Sequence, residues 1–401
     1  MTSQINSESI IKCIQNVVGE SSLSNPIALH EPDFSNTKAL TYIDKCLKSG
    51  WVSTAGEWVR KFERGLCDTT NARNAIAVTN GTDALRLALH LVGVKPTDEV
   101  LVPPVSFVAT TNAIAHLGAS PHFVDIESTT LGLDPVALNS RLNQIANKKN
   151  GLIINKKTGK KISAIVLVHV FGHPANAPEI SKIAKEWGIP LIEDAAEALG
   201  SWRSDNGAMV HCGLLGEIGT LSFNGNKIIT TGGGGALITN NDELANQARH
   251  LSTTAKITHP WEYNHDMIAW NDRLPNVNAA LGFAQLETFN TRLKTKRELM
   301  NNYLKEFANF DDISIIKEPK YCKSNYWLVT LRFDCMDKQL AASQRLDLLE
   351  KAHKNGLLLR PLWKLLNKLP MFQRCPSGPL PIALDQSCRL INLPSSPQLI
   401  D

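Results

Sequence analysis

The sequence lacks the long apolar stretches that membrane-spanning helices require. No apolar run approaches the ~20 residues needed to cross a bilayer. The N-terminal stretch MTSQINSESIIKCIQ is polar and lacks the apolar core of a signal peptide. We therefore expect a cytoplasmic protein with no membrane contact.

Cysteine pairs with a recognisable spacing are also missing. No two of the eight cysteines stand at C-x-x-C spacing, and no His pair completes a zinc pattern. We expect no metal site and unpaired, reduced thiols at every position. These positions are Cys13, Cys46, Cys67, Cys212, Cys322, Cys335, Cys375 and Cys388.

An excess of charge of one sign is absent too. The chain carries 42 Lys and Arg against 38 Asp and Glu, a formal charge of +4 over 401 residues. A nucleic-acid-binding protein usually concentrates basic residues on one face. The first 45 residues show neither a basic stripe nor a helix-turn-helix signal, which argues against a DNA-binding regulator.

What the sequence does contain is ordinary globular material in a regular order. Hydrophobic residues make up 43% and charged residues 20%, which suffices for a large core in two or three domains. From about residue 75, short apolar runs alternate with helix-like stretches, and this alternation predicts βαβ units around a mostly parallel sheet. The predicted strands are 75–79, 99–103, 121–126, 163–170, 189–194, 220–223 and 235–239, with helices at 83–93, 106–118 and 177–188.

The pattern changes after about residue 285. A long helical stretch at 287–307 leads to a strand at 326–333 and a helix at 338–356, which indicates a smaller α+β domain. The first 45 residues lack strand signals and are expected to pack near that domain. The predicted division is an N-terminal segment at 1–45, a large domain at 46–285 and a small domain at 286–401.

An insertion at 146–163 carries six lysines. It is predicted to be a hairpin that turns at Lys-Thr-Gly and projects its charges outward. A phosphate-binding role and a solvated surface hairpin both stay open.

The most informative segment runs from Thr220 to Gly235, TLSFNGNKIITTGGGG, where a predicted strand delivers Ser222 and then Lys227 ahead of four glycines. Burying an ammonium group for packing alone is costly. A desolvated lysine has a chemical use, because its lowered pKa lets it form a Schiff base. Taken alone, Lys227 is equally well explained as a surface lysine.

Three other segments favour the chemical interpretation. Thr82 and Asp83 lie at a strand–helix junction, where free N–H groups suit a phosphate, although an ordinary helix cap explains them too. Asp194 ends a strand, where it could pair with a pyridine nitrogen or simply cap a helix. Phe107 begins a helix, where it could stack on a planar ring or belong to the core.

Together these features suggest a pyridoxal phosphate site, and their order and spacing resemble the DegT/DnrJ/EryC1/StrS family of sugar aminotransferases. The resemblance is strongest between Trp51 and Leu286. The motifs that carry it are NGTDAL, VPPVSFVATTNAI, PHFVDI, VLVHVFGHPA, IEDAAEALGS, LSFNGNKIITTGGGGALITN and WNDRLPNVNAALGFAQLE.

The resemblance implies the fold type I architecture: a large domain with a mostly parallel sheet, a smaller α+β domain, and a homodimer with shared active sites. It implies that Lys227 forms the Schiff base with pyridoxal phosphate and that Asp194 pairs with the pyridine nitrogen. The other implied contacts are Phe107 on the ring, Thr82, the backbone of Asp83 and Ser222 on the phosphate, and Asn271 on the phosphate of the partner subunit.

Glu197 departs from the commonest family pattern, which has Gln near the phenolic oxygen of the cofactor. A glutamate there must be protonated or hydrogen-bonded to avoid repelling a phenolate. Some family members replace the lysine with His and act as dehydratases. Because Lys227 is present, we expect transamination, with a pyridoxal phosphate-dependent dehydratase or lyase as the alternative.

The finer resemblance implies a substrate. The forms of the lysine loop and the Asp segment are similar to the branch that aminates C4 of UDP-linked 2-acetamido-4-keto-2,4,6-trideoxyhexoses, on routes such as legionaminic acid synthesis. L-Glutamate is the expected donor, and GDP-4-keto-6-deoxymannose is the rival acceptor. Further candidates for substrate contact are Asn224, His169 and Arg360; a core histidine and a surface arginine are the alternatives for the last two.

Overall fold

The computed structural model describes residues 6–334 and 337–400. Its helices are α1 (Ser7–Val18), α2 (Ala39–Ser49), α3 (Glu57–Thr70), α4 (Gly81–Leu91), α5 (Ala109–His116), α6 (Pro135–Ile145), α7 (Ala177–Trp187), α8 (Asp242–Ser252), α9 (Asn276–Leu286), α10 (Phe289–Glu306), α11 (Lys338–Lys354) and α12 (Pro381–Arg389).

The strands form one large sheet and four smaller ones. They are β1 (Asn74–Val78), β2 (Glu99–Val102), β3 (Ser120–Phe123), β4 (Ala146–Lys149), β5 (Leu152–Asn155), β6 (Ile162–Val168), β7 (Leu191–Asp194), β8 (Trp202–Asp205), β9 (Ala208–His211), β10 (Ile218–Ser222), β11 (Gly235–Thr239), β12 (Lys256–Ile257), β13 (Asn264–His265), β14 (Ile313–Ile315), β15 (Cys322–Lys323), β16 (Val329–Phe333), β17 (Arg360–Pro361) and β18 (Leu390–Leu393).

The central sheet has seven strands in the order β1-β11-β10-β7-β6-β2-β3. Each neighbouring pair from β10 to β3 is parallel, and β11 runs antiparallel to both of its neighbours. The predicted mostly parallel sheet is therefore confirmed. Strand β6 is buried at all seven positions, as expected for a strand covered by helices on both faces. The carboxyl ends of β10, β7, β6 and β2 meet at one edge, where α/β proteins bind their ligands.

A four-stranded antiparallel sheet lies in the C-terminal part of the chain, with the strand order β14-β16-β18-β17. Its apolar face packs with α10 and α11 into a second core, to which α1 contributes Ile10 and Ile14, both fully buried. Helix α2 packs instead against α9 at the end of the large domain. The predicted boundary at residue 45 falls inside α2, and the division of the chain into an N-terminal segment, a large domain and a small domain stays a prediction.

The lysine-rich insertion forms a hairpin, but the turn predicted at Lys-Thr-Gly is wrong. Strands β4 and β5 pair across Asn150 and Gly151. Both residues have positive φ, 51° and 77°, which Asn and Gly tolerate better than other residues, so Asn-Gly makes the tight turn. The Lys-Thr-Gly segment is a second turn that leads from β5 into β6, with Ile154 bridged to Lys161. Four of the lysines, at 148, 149, 156 and 157, are exposed.

A buried carboxylate fastens this insertion to the sheet. The Glu99 side chain is fully buried and accepts hydrogen bonds from His122 Nδ1 at 2.7 Å, Asn155 Nδ2 at 2.8 Å and Thr158 Oγ1 at 2.5 Å. Burial by itself raises the pKa of Glu99, but these hydrogen bonds outweigh it and the pKa lies below the ordinary 4.5. Glu99 is therefore ionised at neutral pH and joins β2 to the start and the middle of the second turn.

No helix in the described part of the chain is long and apolar enough to cross a membrane. Within residues 6–334 and 337–400, no group of three His, Cys, Asp or Glu side chains could hold a metal ion. Seven cysteines are free thiols; Cys335, also predicted to be reduced, lies outside the described residues.

We expect Glu99→Gln to lower the free energy of unfolding by about 2 kcal/mol at pH 7, because it removes a charged acceptor of three hydrogen bonds. The native pKa of Glu99 is depressed, so its stabilisation is present above pH ~4.5 and is lost as the pH falls through the native pKa. Chemical denaturation at pH 7 and pH 4 should show the deficit shrinking at the lower pH.

Glu57→Gln is the matched control, since the Glu57 side chain is 57% exposed and a surface change of this kind alters stability by less than about 0.5 kcal/mol. A deficit for Glu99→Gln that is equal at both pH values would contradict the assignment of an ionised, paired Glu99.

Candidate active site

A cavity of about 260 Å³ opens at the carboxyl ends of the parallel strands. It brings together segments that are far apart in the sequence, as expected where parallel strands end at one edge. Seven of the residues predicted from the sequence line it. They are Thr82, Phe107, Asp194, Glu197, Ser222, Asn224 and Lys227.

The N-terminus of α4 forms one end of the cavity. Asn80 caps the helix, its side chain accepting a hydrogen bond from Asp83 N at 2.9 Å. The N–H groups of Gly81 and Thr82 find no acceptor among the described residues, as is usual in a first helical turn. With the hydroxyls of Thr82 and Ser222, they offer donors at the positive end of a helix dipole.

Glycine at position 235 makes room for this group of donors. A Cβ atom there would stand 2.5 Å from the carbonyl carbon of Asn80 and 2.7 Å from the N atom of Gly81. A Cβ on Gly81 would in turn approach the Cβ of Ser222 to 2.9 Å. The backbone of β11 can therefore lie against the start of α4 only because positions 81 and 235 are glycines.

Asp194 ends β7 and is 5% exposed. Its Oδ2 accepts a hydrogen bond from Thr110 Oγ1 at 2.7 Å, and its Oδ1 accepts one from Ala196 N at 3.2 Å. Burial raises the pKa of Asp194 above its ordinary 3.8, while these two donors and the nearby Lys227 oppose the rise. A buried carboxylate stabilised in this way can pair with a protonated ring nitrogen.

Lys227 projects into the same cavity from the loop after β10, with its side chain 12% exposed. Its Nζ lies 3.3 Å from Glu197 Oε1 and 3.9 Å from the ring centroid of Trp327. A lysine that is mostly shielded from solvent inside a cavity is a candidate for a reactive amine.

Glu197 is held from both sides. Its Oε2 accepts a hydrogen bond from Phe171 N at 2.8 Å, and its Oε1 faces Lys227. Burial raises the pKa of Glu197, and Lys227 acts against that rise. Glu197, which stands where most family members have Gln, is thus hydrogen-bonded, which is one of the two conditions expected for a glutamate near a phenolic oxygen.

Phe107 supplies a flat apolar surface. Its ring lines the cavity and is 54% exposed, and it meets Trp363 edge to face at 6.4 Å. A large aromatic side chain left open inside a cavity suits the stacking of a planar ring better than it suits a core.

Four predicted residues lie elsewhere or act differently. His169 is not among the residues that line the cavity: it is 1% exposed, its Nε2 is 2.9 Å from Glu193 Oε2, and its Nδ1 accepts a hydrogen bond from Ala175 N. These contacts favour the alternative of a core histidine, and a contact with the substrate stays a prediction.

The backbone of Asp83, predicted to hold the phosphate, lies in the first turn of α4, but its N–H donates to Asn80 Oδ1 at 2.9 Å, and its carboxylate accepts a hydrogen bond from Thr79 Oγ1. Its contact with the phosphate stays a prediction.

Arg360 and Asn271 remain predictions. Arg360 is exposed and lines a neighbouring cavity of about 470 Å³ that shares Asn226, Trp327 and Trp363 with the first. Asn271 is exposed and lies outside the cavity of its own chain, which is compatible with a contact across a dimer.

Several cavity residues were not predicted from the sequence, and two of them make contacts with the predicted residues. Trp327 comes from the strand predicted at 326–333, and its Nε1 donates to Asn226 O at 2.7 Å, which ties that strand to the lysine loop. Thr110 lies in a predicted helix and has no unusual neighbours in the sequence. The spacing of Ser106 and Thr110, four residues apart, is the one signal that could have placed two hydroxyls on the same side.

The residues fit pyridoxal phosphate. The cradle made by Gly81, Thr82 and Ser222 suits a phosphate, Phe107 suits the ring, and Asp194 suits the ring nitrogen. Lys227 would supply the amine that attaches the bound group covalently.

We expect Gly235→Ala to weaken binding of pyridoxal phosphate about tenfold, because the new Cβ forces β11 away from the start of α4. The measurement is a titration of the cofactor-free protein, followed by visible absorption. Gly225→Ala is the control, since a Cβ there meets nothing within 4 Å. Equal affinity in both variants would rule out this end of the cavity as the phosphate site.

Comparison with known proteins agrees with this geometry. Residues 35–401 match the model of the DegT/DnrJ/EryC1/StrS aminotransferase family. The GDP-perosamine synthase of Escherichia coli O157:H7 is 34% identical, over 93% of this chain and 94% of the relative. A Campylobacter jejuni UDP-4-amino-4,6-dideoxy-N-acetyl-beta-L-altrosamine transaminase is 33% identical, over 78% of each chain.

The crystal structure of the aminotransferase TlmJ from Streptoalloteichus hindustanus superposes with a TM-score of 0.81 at 26% identity, over 92% of this chain and 93% of that one. The fold type I architecture is thereby confirmed. The chain belongs to the DegT/DnrJ/EryC1/StrS aminotransferase family, and it is a pyridoxal phosphate-dependent aminotransferase.

Proposed function

We propose that this enzyme transfers an amino group from L-glutamate to C4 of a nucleotide-linked 4-keto-6-deoxy sugar. The observation that carries the proposal is a single cavity in which Lys227 Nζ, the Asp194 carboxylate and the phosphate cradle at Gly81 converge. The family and its relatives support a sugar aminotransferase. The donor and the nucleotide belong to the proposal.

Lys227 is the residue that moves protons. Pyridoxal phosphate, when bound, supplies the carbonyl that takes up the amino group and a ring that withdraws electrons from the reacting carbon. Lys227 Nζ would take the proton from the α-carbon of the donor and pass it to the carbon of the cofactor that keeps the amino group, and it would move a proton in the reverse direction for the sugar. Glu197 Oε1 lies 3.3 Å from this Nζ and holds the amine inside the cavity for both half-reactions.

Asp194 keeps a negative charge beside the ring nitrogen and so favours a proton there. The dry surroundings strengthen that interaction, because a charge 5% exposed to solvent is screened little. The donor leaves as 2-oxoglutarate before the ketosugar enters, and the sugar leaves as an amine. The cycle is a double displacement.

For the acceptor, the relatives and the sequence motifs favour different nucleotides. The GDP-perosamine synthase matches 93% of this chain, against 78% for the UDP-linked altrosamine transaminase. We therefore place GDP-4-keto-6-deoxymannose first. The form of the lysine loop and the Asp segment supports UDP-2-acetamido-4-keto-2,4,6-trideoxyhexose as the second candidate.

The test is a pair of half-reactions followed by absorption. L-Glutamate should remove the visible band of bound pyridoxal phosphate, and a ketosugar that is a substrate should restore it. Turnover of the GDP sugar is expected to exceed that of the UDP sugar by at least about tenfold, which corresponds to the loss of one hydrogen bond worth about 1.4 kcal/mol. Lys227→Ala should abolish the band, and Lys256→Ala, at an exposed lysine, should leave it intact.

Restoration by the UDP sugar alone would reverse the order of the two candidates. Loss of the band with no restoration by either sugar would contradict a 4-ketosugar acceptor. Release of ammonia in place of amine transfer would favour the dehydratase or lyase reaction.

We infer further that the enzyme works as a homodimer. Large apolar side chains around β12 and β13 stand open to solvent: Trp261 is 77%, Tyr263 78% and Ile268 96% exposed. Open apolar side chains of this size commonly mark an association surface. Asn271 follows the same segment and is proposed to reach the cofactor phosphate of the partner subunit.

Mixing Lys227→Ala and Asn271→Ala protomers should restore about a quarter of wild-type activity. After exchange, half of the dimers are mixed, and each mixed dimer has one site with both residues intact. Each variant alone is expected to be nearly inactive. Activity of the mixture no higher than the sum of its parts would show that Asn271 serves the site of its own chain.

A further inference from the structure

Two buried hydroxyl groups lie next to the Asp194 carboxylate at the wall of the cavity. The transamination steps described above assign no role to either of them. Ser106 is 3% exposed and Thr110 is 1% exposed. Ser106 Oγ lies 2.6 Å from Thr110 Oγ1, which lies 2.7 Å from Asp194 Oδ2. The three side chains form a continuous hydrogen-bonded row from the segment before α5 to the end of β7.

The direction of these hydrogen bonds follows from the carboxylate. An ionised Asp194 can only accept, so the single hydroxyl proton of Thr110 must point at Asp194 Oδ2. The oxygen of Thr110 then has lone pairs only, and Ser106 must donate to it. Ser106 therefore adds a second hydrogen bond to the Thr110 hydroxyl and strengthens the direction that the carboxylate imposes on it.

The charge on Asp194 needs this support. Burial raises the pKa of Asp194, and the hydrogen bond from the Thr110 hydroxyl opposes that rise most strongly, ahead of Ala196 N and of the charge on Lys227. Glu197, on the loop after β7, lies close enough that the charge of Asp194 adds to the rise in the pKa of Glu197. A neutral Asp194 would lose its attraction for a protonated ring nitrogen.

We propose that Thr110, oriented by Ser106, is a positioning residue that sets the charge and the orientation of the Asp194 carboxylate toward the ring nitrogen of the cofactor. The hydroxyl holds Oδ2 while Ala196 N holds Oδ1, at 3.2 Å, so the plane of the carboxylate is fixed from both sides. This inference rests on the proposed function for its effect on turnover, and its effect on Asp194 is independent of any sugar.

The decisive measurement uses the cofactor-free protein. With aspartate labelled at the carboxyl carbon and Asp194→Asn to identify the signal, a carbon-13 titration follows the protonation of Asp194. Thr110→Val keeps the shape and removes the donor, so the Asp194 titration should move up by about one pH unit. Thr110→Ser keeps the hydroxyl and should titrate close to wild type.

Thr111→Val is the matched control. Thr111 is the next residue of α5, is fully buried, and its hydroxyl donates to Val108 O, a carbonyl of its own segment, at 3.2 Å. In the reconstituted enzyme, kcat should fall about tenfold in Thr110→Val and less in Ser106→Ala, with the KM for the ketosugar changed less than about twofold.

An unchanged Asp194 titration in Thr110→Val would overturn the proposal, whatever its activity. So would an equal shift in Thr111→Val, because the effect would then come from helix packing. If the titration shifts but no ketosugar is turned over, the proposed acceptor fails and the role of Thr110 stands.

Discussion

The site depends on two neighbouring carboxylates that are buried at the end of one strand. Glu193 is fully buried and Asp194 is 5% exposed, and the two-residue period of a strand directs them to opposite faces of the sheet. Removing a carboxylate from water costs several kcal/mol unless donors surround it. Glu193 has such donors: the His169 ring and three backbone N–H groups between 213 and 216.

The two carboxylates therefore have different roles on the two faces of the sheet: Glu193 stabilises the structure, and Asp194 faces the cavity. Burial would raise the pKa of Glu193, but its hydrogen bonds lower it below its ordinary value, and the charge ties β6, β7 and the loop before β10 together. Asp194 has fewer donors and is left with accepting capacity toward the cavity. A rigid strand end held by one carboxylate is what allows the next to present its charge at a fixed place.

Local sequence pattern was sufficient to predict the sheet and part of the site. The alternation of apolar runs predicted the parallel strands, and Lys227, Asp194 and Thr82 converge because each lies at the carboxyl end of a strand or shortly after it. Contacts that depend on side-chain direction were out of reach. His169 directly follows strand β6, and pattern alone could not tell that its ring turns to Glu193 and not to the cavity. Trp327 reaches Lys227 from a segment a hundred residues later, which no local rule anticipates.

The placement of Trp327 also makes tryptophan fluorescence sensitive to what the cavity holds. Its indole lies 3.9 Å from the amine of Lys227, and the indole of Trp363 lines the same space. A pyridoxal phosphate ring bound in this cavity would absorb where tryptophan emits, so it would quench the fluorescence of nearby indoles by energy transfer. Two of the eight tryptophans of the chain line the cavity, so a partial loss of the tryptophan fluorescence would report, without an added label, that the ring is present.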